Sequence, residues 1–114
     1  MNTKILSELV QTRENPSFGS CLQGYQDTPF AELVEAFGEP MSDGDGYKID
    51  AEWVLQAPDG TFVTIYNYKD GKNYNGDCGY DVEDIRDWHI GGHDSKALEA
   101  VANVFGVNKV RWGW

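Results

Sequence analysis

The apolar residues of this chain fall into two spacings, and each spacing predicts a different element. Phe30, Leu33, Val34 and Phe37 stand at i, i+3, i+4 and i+7, which is one face of a helix. Thr28 is placed to cap it, Pro29 suits its first position, Gly38 suits its end, and Pro40 prevents continuation. Leu98, Val101, Ala102 and Phe105 repeat the spacing, with Asp94 or Ser95 as the cap and Gly106 as the stop. Between these helices the period changes to two. Tyr47, Ile49, Ala51, Trp53, Leu55 and Ala57 alternate with Lys48, Asp50, Glu52, Val54 and Gln56, which predicts a half-buried strand over 47–57. Pro58-Asp59-Gly60 is a hairpin turn. Thr61 to Tyr68, rich in β-branched and aromatic residues, is the partner strand. A third strand is predicted from Arg86 to Ile90.

The rest is less patterned. Ile5, Leu6, Leu9 and Val10 form a short helical face within residues 1–15, loosely packed on the domain. Pro16, Gly19 and Gly24 punctuate residues 15–27 as a loop or irregular strand. Residues 69–84 are a polar excursion. The tail from Val107 is a short edge strand or an exposed end carrying Trp112 and Trp114. The prediction is a single α+β domain over residues 1–114: an antiparallel sheet of three to five strands with two amphipathic helices packed on one face. The helix faces and the odd-numbered side of the 47–57 strand form the expected core.

Composition narrows the classes. The chain has 114 residues, 40% hydrophobic and 13% aromatic, enough for one modest core and unlike a disordered chain. No apolar run approaches a membrane span, and the first residues lack the pattern of a signal peptide, so a soluble protein is expected. The net charge is −10 and the nine Lys and Arg are scattered, so direct nucleic-acid binding is not expected. Such charge suits a basic protein partner, mimicry of phosphates in a nucleic-acid channel, or solubility alone. Cys21 and Cys78 form no CxxC motif and are expected as free thiols.

Four candidate chemistries follow. A calcium loop at Ser42–Gly46 fails the EF-hand pattern, because Tyr47 and Val54 stand where ligands are required. His89 and His93 have a HxxxH spacing, but Gly91 and Gly92 between them argue against a metal-binding helix. No local signature makes Cys21 or Cys78 a nucleophile with His89. No metal, cofactor or catalytic residue is therefore expected. Gly91-Gly92 before a helix start can offer backbone N–H groups to an anion. The residues of that corner are Trp88, His89, Gly91, Gly92, His93 and Ser95, with Lys96 adding charge and Tyr66 or Tyr68 stacking on a base. The simpler reading is a tight turn. Finally, Tyr66, Tyr68, Tyr74 and Tyr80 among Gly, Asn and Asp have the chemistry of a binding surface.

Three segments taken together, Leu22–Pro40, Tyr47–Gly71 and Asp87–Val101, resemble a family of small tailed-bacteriophage proteins. The shared pattern is Gly-x-x-Leu-x-Gly-Tyr, Phe-Gly-x-Pro, Asp-Gly-Thr and Trp-His-x-Gly-Gly, spanning residues 19 to 104. The resemblance implies a phage origin and no catalytic residues. It leads to the expectation of a non-enzymatic anti-defence inhibitor, anti-CRISPR-like, acting in the cytoplasm of the infected bacterial host. Its partner would be a host protein with a basic nucleic-acid-binding surface. The partner-binding residues would be Asp43, Asp45, Tyr66, Tyr68, Tyr74, Asp77, Tyr80, Asp81, Glu83 and Asp84. The alternative is a binder that sequesters a nucleotide or cyclic-nucleotide signal at the Trp88–Ser95 corner.

Overall fold

Trp53 and Trp88, both without solvent exposure, mark where a sheet meets its helices. The computed structural model describes residues 9–12, 21–42 and 46–113. Among them are strands β1 (Val10–Gln11), β2 (Cys21–Asp27), β3 (Glu52–Gln56), β4 (Phe62–Tyr66), β5 (Asp87–Gly92) and β6 (Val110–Trp112), and helices α1 (Phe30–Phe37), α2 (Lys72–Asn75) and α3 (Lys96–Phe105). The six strands form one antiparallel sheet in the order β1-β3-β4-β5-β2-β6. The α+β class stands as expected. Among the described residues, the strand count of three to five is corrected to six and the helix count of two to three. The additional elements are short: β1 and β6 are edge strands, and α2 is one turn inside the polar excursion.

The inward side of the sheet carries Trp53, Leu55, Val63, Ile65, Trp88 and Ile90, all fully buried. Leu33 of α1 and Ala97, Leu98 and Val101 of α3 close on them. Phe30 packs against both tryptophans, and Phe37 meets Phe105 edge-on where the two helices touch. Burying side chains of this size contributes about 1.5–3 kcal/mol each, so this layer is the main source of stability. Both indoles satisfy their N–H groups at the rim of α1. Trp53 Nε1 donates to the Gly38 carbonyl (2.9 Å) and Trp88 Nε1 to the Thr28 carbonyl (2.8 Å).

Gly38 (φ 87°) and Gly106 (φ 103°) end α1 and α3 in left-handed conformations, as their positions predict. Thr28 is not the cap of α1. Pro29 occupies that position, while the Thr28 hydroxyl is buried and accepts from Gln26 Nε2. At α3 the side-chain acceptor is Asp94, whose carboxylate takes the Lys96 N–H (2.9 Å).

Three predicted boundaries shift. The alternation over 47–57 produces a strand only from Glu52 to Gln56, because the Asp50 and Ala51 N–H groups go to the Asn67 side chain instead of a ladder. Val10 is extended in β1 rather than helical; the remainder of the predicted N-terminal helix lies outside the described residues. Gly91 and Gly92 are not a turn but the end of β5. A Cβ on Gly92 would collide with that of Ala97, so this glycine lets α3 lie close to the sheet. The tail forms an edge strand, with β6 paired to β2.

Candidate functional site

The opposite side of the sheet has no described helix over it. Register places Glu52, Tyr66, His89, Tyr25 and Arg111 side by side across β3, β4, β5, β2 and β6. Period-two alternation turns all five away from the tryptophans. A bulge at Gln23 is what brings Tyr25 into line. Leu22 pairs with Gly91 and Gly24 with Ile90, so Gln23 is the extra residue and the alternation of β2 resets there.

His89 is the centre of this face. Its ring lies 5.0 Å from that of Tyr25, nearly perpendicular, 5.5 Å from Tyr66 and 5.4 Å from Tyr68. Burial among these rings holds its pKa below the usual imidazole value, against the opposing pull of Asp87 and Asp70. Tyr66 is shifted upward, first by burial and then by Glu52. The guanidinium of Arg111 sits 4.7 Å from the centre of the Tyr25 ring. Arg111 also meets Asp87 at 3.3 Å, and Arg86 meets Asp27 at 3.2 Å. Asp27 and Asp87 are direct cross-strand partners, a like-charge pair that the two arginines offset.

The aromatic belt continues past the sheet. Lys69 places its ammonium 5.3 Å from the Tyr68 ring and 5.4 Å from the Tyr74 ring, and Tyr74 lies 5.2 Å from Tyr47. Lys69 adopts a positive φ of 63°, unusual for a residue with a side chain. Its N–H donates to the Lys48 carbonyl and its carbonyl accepts from Asn75 Nδ2, both at 2.8 Å; Asn67, two residues before it, is fully buried. Asn67 Oδ1 accepts the N–H groups of Asp50 (2.7 Å) and Ala51 (3.1 Å), and Nδ2 donates to the carboxylates of Asp50 (2.8 Å) and Asp70 (2.9 Å). Burial raises the pKa of Asp70.

The polar excursion is ordered by the same cluster. Asp50 Oδ2 accepts the Asn73 N–H, Asn73 Nδ2 donates to the Ile49 carbonyl, and Asn75 Nδ2 donates to the Lys69 carbonyl. Gly71 bridges to Tyr80, and Lys72 pairs with Asp81 at 3.0 Å. Tyr74, Asp77, Tyr80, Asp81, Glu83 and Asp84 are all exposed on this segment, Tyr80 at 62%. Tyr68, at 40%, lies between the segment and the sheet face. Asp43 and Asp45 lie outside the described residues.

The Trp88–Ser95 corner is not one surface. Trp88 and Gly92 face the core, and His89 and Gly91 face the open side. His93 and Ser95 lie beyond the end of β5, with His93 6.4 Å from Phe62. Gly91 and Gly92 are paired within the sheet, and the first turn of α3 is met by the Asp94 carboxylate, so an anion finds negative charge there. Trp88 has no ring face to offer a base. Cys21 and Cys78 are both exposed and free. No group of three or more His, Cys, Asp or Glu suited to a metal occurs among the described residues. No helix among them is long and apolar enough to cross a membrane. Among the described residues, recesses of about 320, 560 and 300 Å³ lie along α3, between α1 and α3, and beside β1; Lys96 lines the first, and none of the three is lined by Trp88, His89, Gly91, Gly92, His93 or Ser95.

Sequence reasoning joined His89 with Tyr66 or Tyr68 only as a nucleotide-binding corner, and placed the two tyrosines without His89 in the partner surface. It missed Tyr25 and Arg111, which join them only through the strand order, and Lys69 and Asp87, which lie beside Tyr68 and on the His89 strand. No family model, curated protein or solved structure matches this chain.

Proposed function

We propose that this protein is a non-enzymatic acidic inhibitor that docks on a basic, nucleic-acid-handling surface of a host protein. The observation that carries the reading is the segment from Tyr74 to Asp84. It presents two exposed tyrosines and four exposed acids on a backbone tied to Lys69, Asp70 and Gly71. Held in place before binding, such a segment loses little conformational freedom on docking. Tyrosine supplies contact area, and the acids supply complementarity to Lys and Arg. The net charge of −10 points the same way. The phage source, the anti-CRISPR-like role and action in the host cytoplasm belong to the same proposal and rest on the sequence resemblance. Nucleotide sequestration is less well supported, because its residues are divided between the core and two surfaces.

The test is capture of partners from a bacterial host by the tagged protein at low and high salt. Exposed charge pairs are screened within about 10 Å at 0.1 M salt and about 3 Å at 1 M. A stoichiometric nucleic-acid-binding partner, held at low salt and released at high salt, is the expected result. Replacing Asp77, Asp81, Glu83 and Asp84 with their amides must then weaken capture. Equal retention at both salt concentrations, or by the amide variant, refutes the reading.

A further inference from the structure

Three rings of the tyrosine belt already receive cations from the protein itself. Arg111 stacks over Tyr25, and Lys69 lies over Tyr68 and Tyr74. Carboxylates stand beside them: Asp27 and Asp87 on the open side of β2 and β5, each holding an exposed arginine. The face therefore combines the two features that bind guanidinium, electron-rich rings and carboxylates at their edge. The net charge of the whole chain, −10, disfavours a polyanion. The internal ion pairs are exposed, so exchanging one of their arginines for another costs little.

We propose that the open face of the sheet, from Arg111 across Tyr25, His89 and Tyr66 to Tyr68, is a docking surface for an extended, arginine-bearing segment of a protein partner. Guanidinium groups of that segment stack on the tyrosines and pair with Asp27 and Asp87. This rests on the reading above that the partner is basic, and adds a second contact, separate from the acidic segment, with a preference for arginine over lysine. Arginine is planar and weakly hydrated, and it pairs with a carboxylate through two parallel N–H groups; an ammonium does not.

His89 gives the surface a proton dependence. It is faced by Tyr25 from β2, by Tyr66 from β4 and Tyr68 just beyond it, by Asp87 on its own strand, by Asp70 from the following turn and by Arg111 from β6. Neutral, it is one more ring. Protonated, it places a cation at the centre of a cation-receiving face, and a basic segment is repelled.

The full chain is titrated calorimetrically with an alternating Arg-Gly peptide, its Lys-Gly counterpart and oligothymidylate. The expected result is binding of the Arg peptide several-fold tighter than the Lys peptide. Tyr68→Ala should weaken it by about 3- to 10-fold, the range of a partly exposed cation–ring contact. Tyr25→Leu provides an independent second variant, and unchanged thermal melting shows that either one folds. Wild-type binding should weaken on acidification, and that of His89→Gln should not. If the two peptides bind equally, and only the Asp77, Asp81, Glu83 and Asp84 amide variant loses them, this inference falls and the acidic-segment reading stands. Salt-sensitive capture of a host partner with no peptide binding has the same consequence. Oligothymidylate binding that Tyr68→Ala removes overturns both readings in favour of base stacking.

Discussion

Replacing Asn67 with Ala tests the link between the core and the candidate surface. The Asn67 side chain is fully buried and makes four hydrogen bonds, to two backbone N–H groups and two carboxylates. Alanine leaves the buried Ala51 N–H without its acceptor. An orphaned buried donor costs about 1–3 kcal/mol. The Asp50 N–H and the two carboxylates lie nearer solvent, and water replaces part of what they lose. Together the loss should be roughly 2–4 kcal/mol. For a domain of this size that is a fall in melting temperature of about 8–16 °C. Urea unfolding followed by tryptophan fluorescence reads it directly, because Trp53 and Trp88 are buried in the native core. Asn67→Asp separates hydrogen bonding from shape. It keeps the acceptor for both N–H groups, loses both donors, and adds a carboxyl beside Asp50 and Asp70. The new carboxyl has a folded pKa above its unfolded one, so the stability of that variant should be greatest at acidic pH and fall as pH rises through the folded value. A loss below about 1 kcal/mol for Asn67→Ala would refute the reasoning, since one buried unsatisfied N–H alone accounts for that much.

Gly92→Ala should destabilise by about 1–3 kcal/mol through overpacking against Ala97, with partial recovery in the double variant with Ala97→Gly, measured by urea midpoints. Gln26→Met should change stability little in the same assay: it removes the buried Oε1, which has no partner among the described residues, but also the Nε2 donor to the buried Thr28 hydroxyl, and the gain and the loss offset. His89 has a folded pKa below the unfolded value of about 6.5, so the unfolded chain binds the extra proton and stability falls as pH drops through that region. An imidazole NMR titration should place His89 below the usual imidazole value, and His89→Gln should flatten the stability profile between neutral and mildly acidic pH; an unchanged profile contradicts the burial argument.

The elements legible in the sequence were those whose apolar period is uninterrupted. The β3–β4 hairpin buries every residue of one phase, α1 and α3 bury or half-bury one apolar face, and glycines with positive φ end both helices where the pattern stops. β2 was not legible, for two physical reasons. The Gln23 bulge shifts its phase by one residue, and its inward positions hold Gly24 and Gln26 rather than aliphatic residues. Gly24 is required because the Leu98 side chain and the Arg111 carbonyl occupy the space of a Cβ. A close approach of this kind removes the hydrophobic signal that would have revealed the strand. Gly91 and Gly92 misled for the same reason. Glycine at a strand end beneath a helix looks, in sequence, like a turn before one.

The candidate surface was legible only in pieces, because a row across a sheet is non-local. Tyr25, Tyr66, His89 and Arg111 are far apart in sequence and become neighbours through the order β4-β5-β2-β6. The local clue was weak but real. Tyr66 and Tyr68 continue the outward phase of β4, and His89 lies between the inward Trp88 and Ile90. A strand that alternates buried aliphatics with outward aromatics, instead of outward charges, exposes ring area that water solvates poorly. Here that area is covered mutually, ring on ring and cation on ring, and not by a helix. Mutual cover of this kind is reversible. Exposed ion pairs and edge contacts contribute about 1 kcal/mol or less each, so a partner bringing its own guanidinium groups can displace them without disturbing the tryptophan layer behind. In the proposed docking, the sheet separates stability from recognition, with one side committed to packing and the other held together by contacts weak enough to exchange.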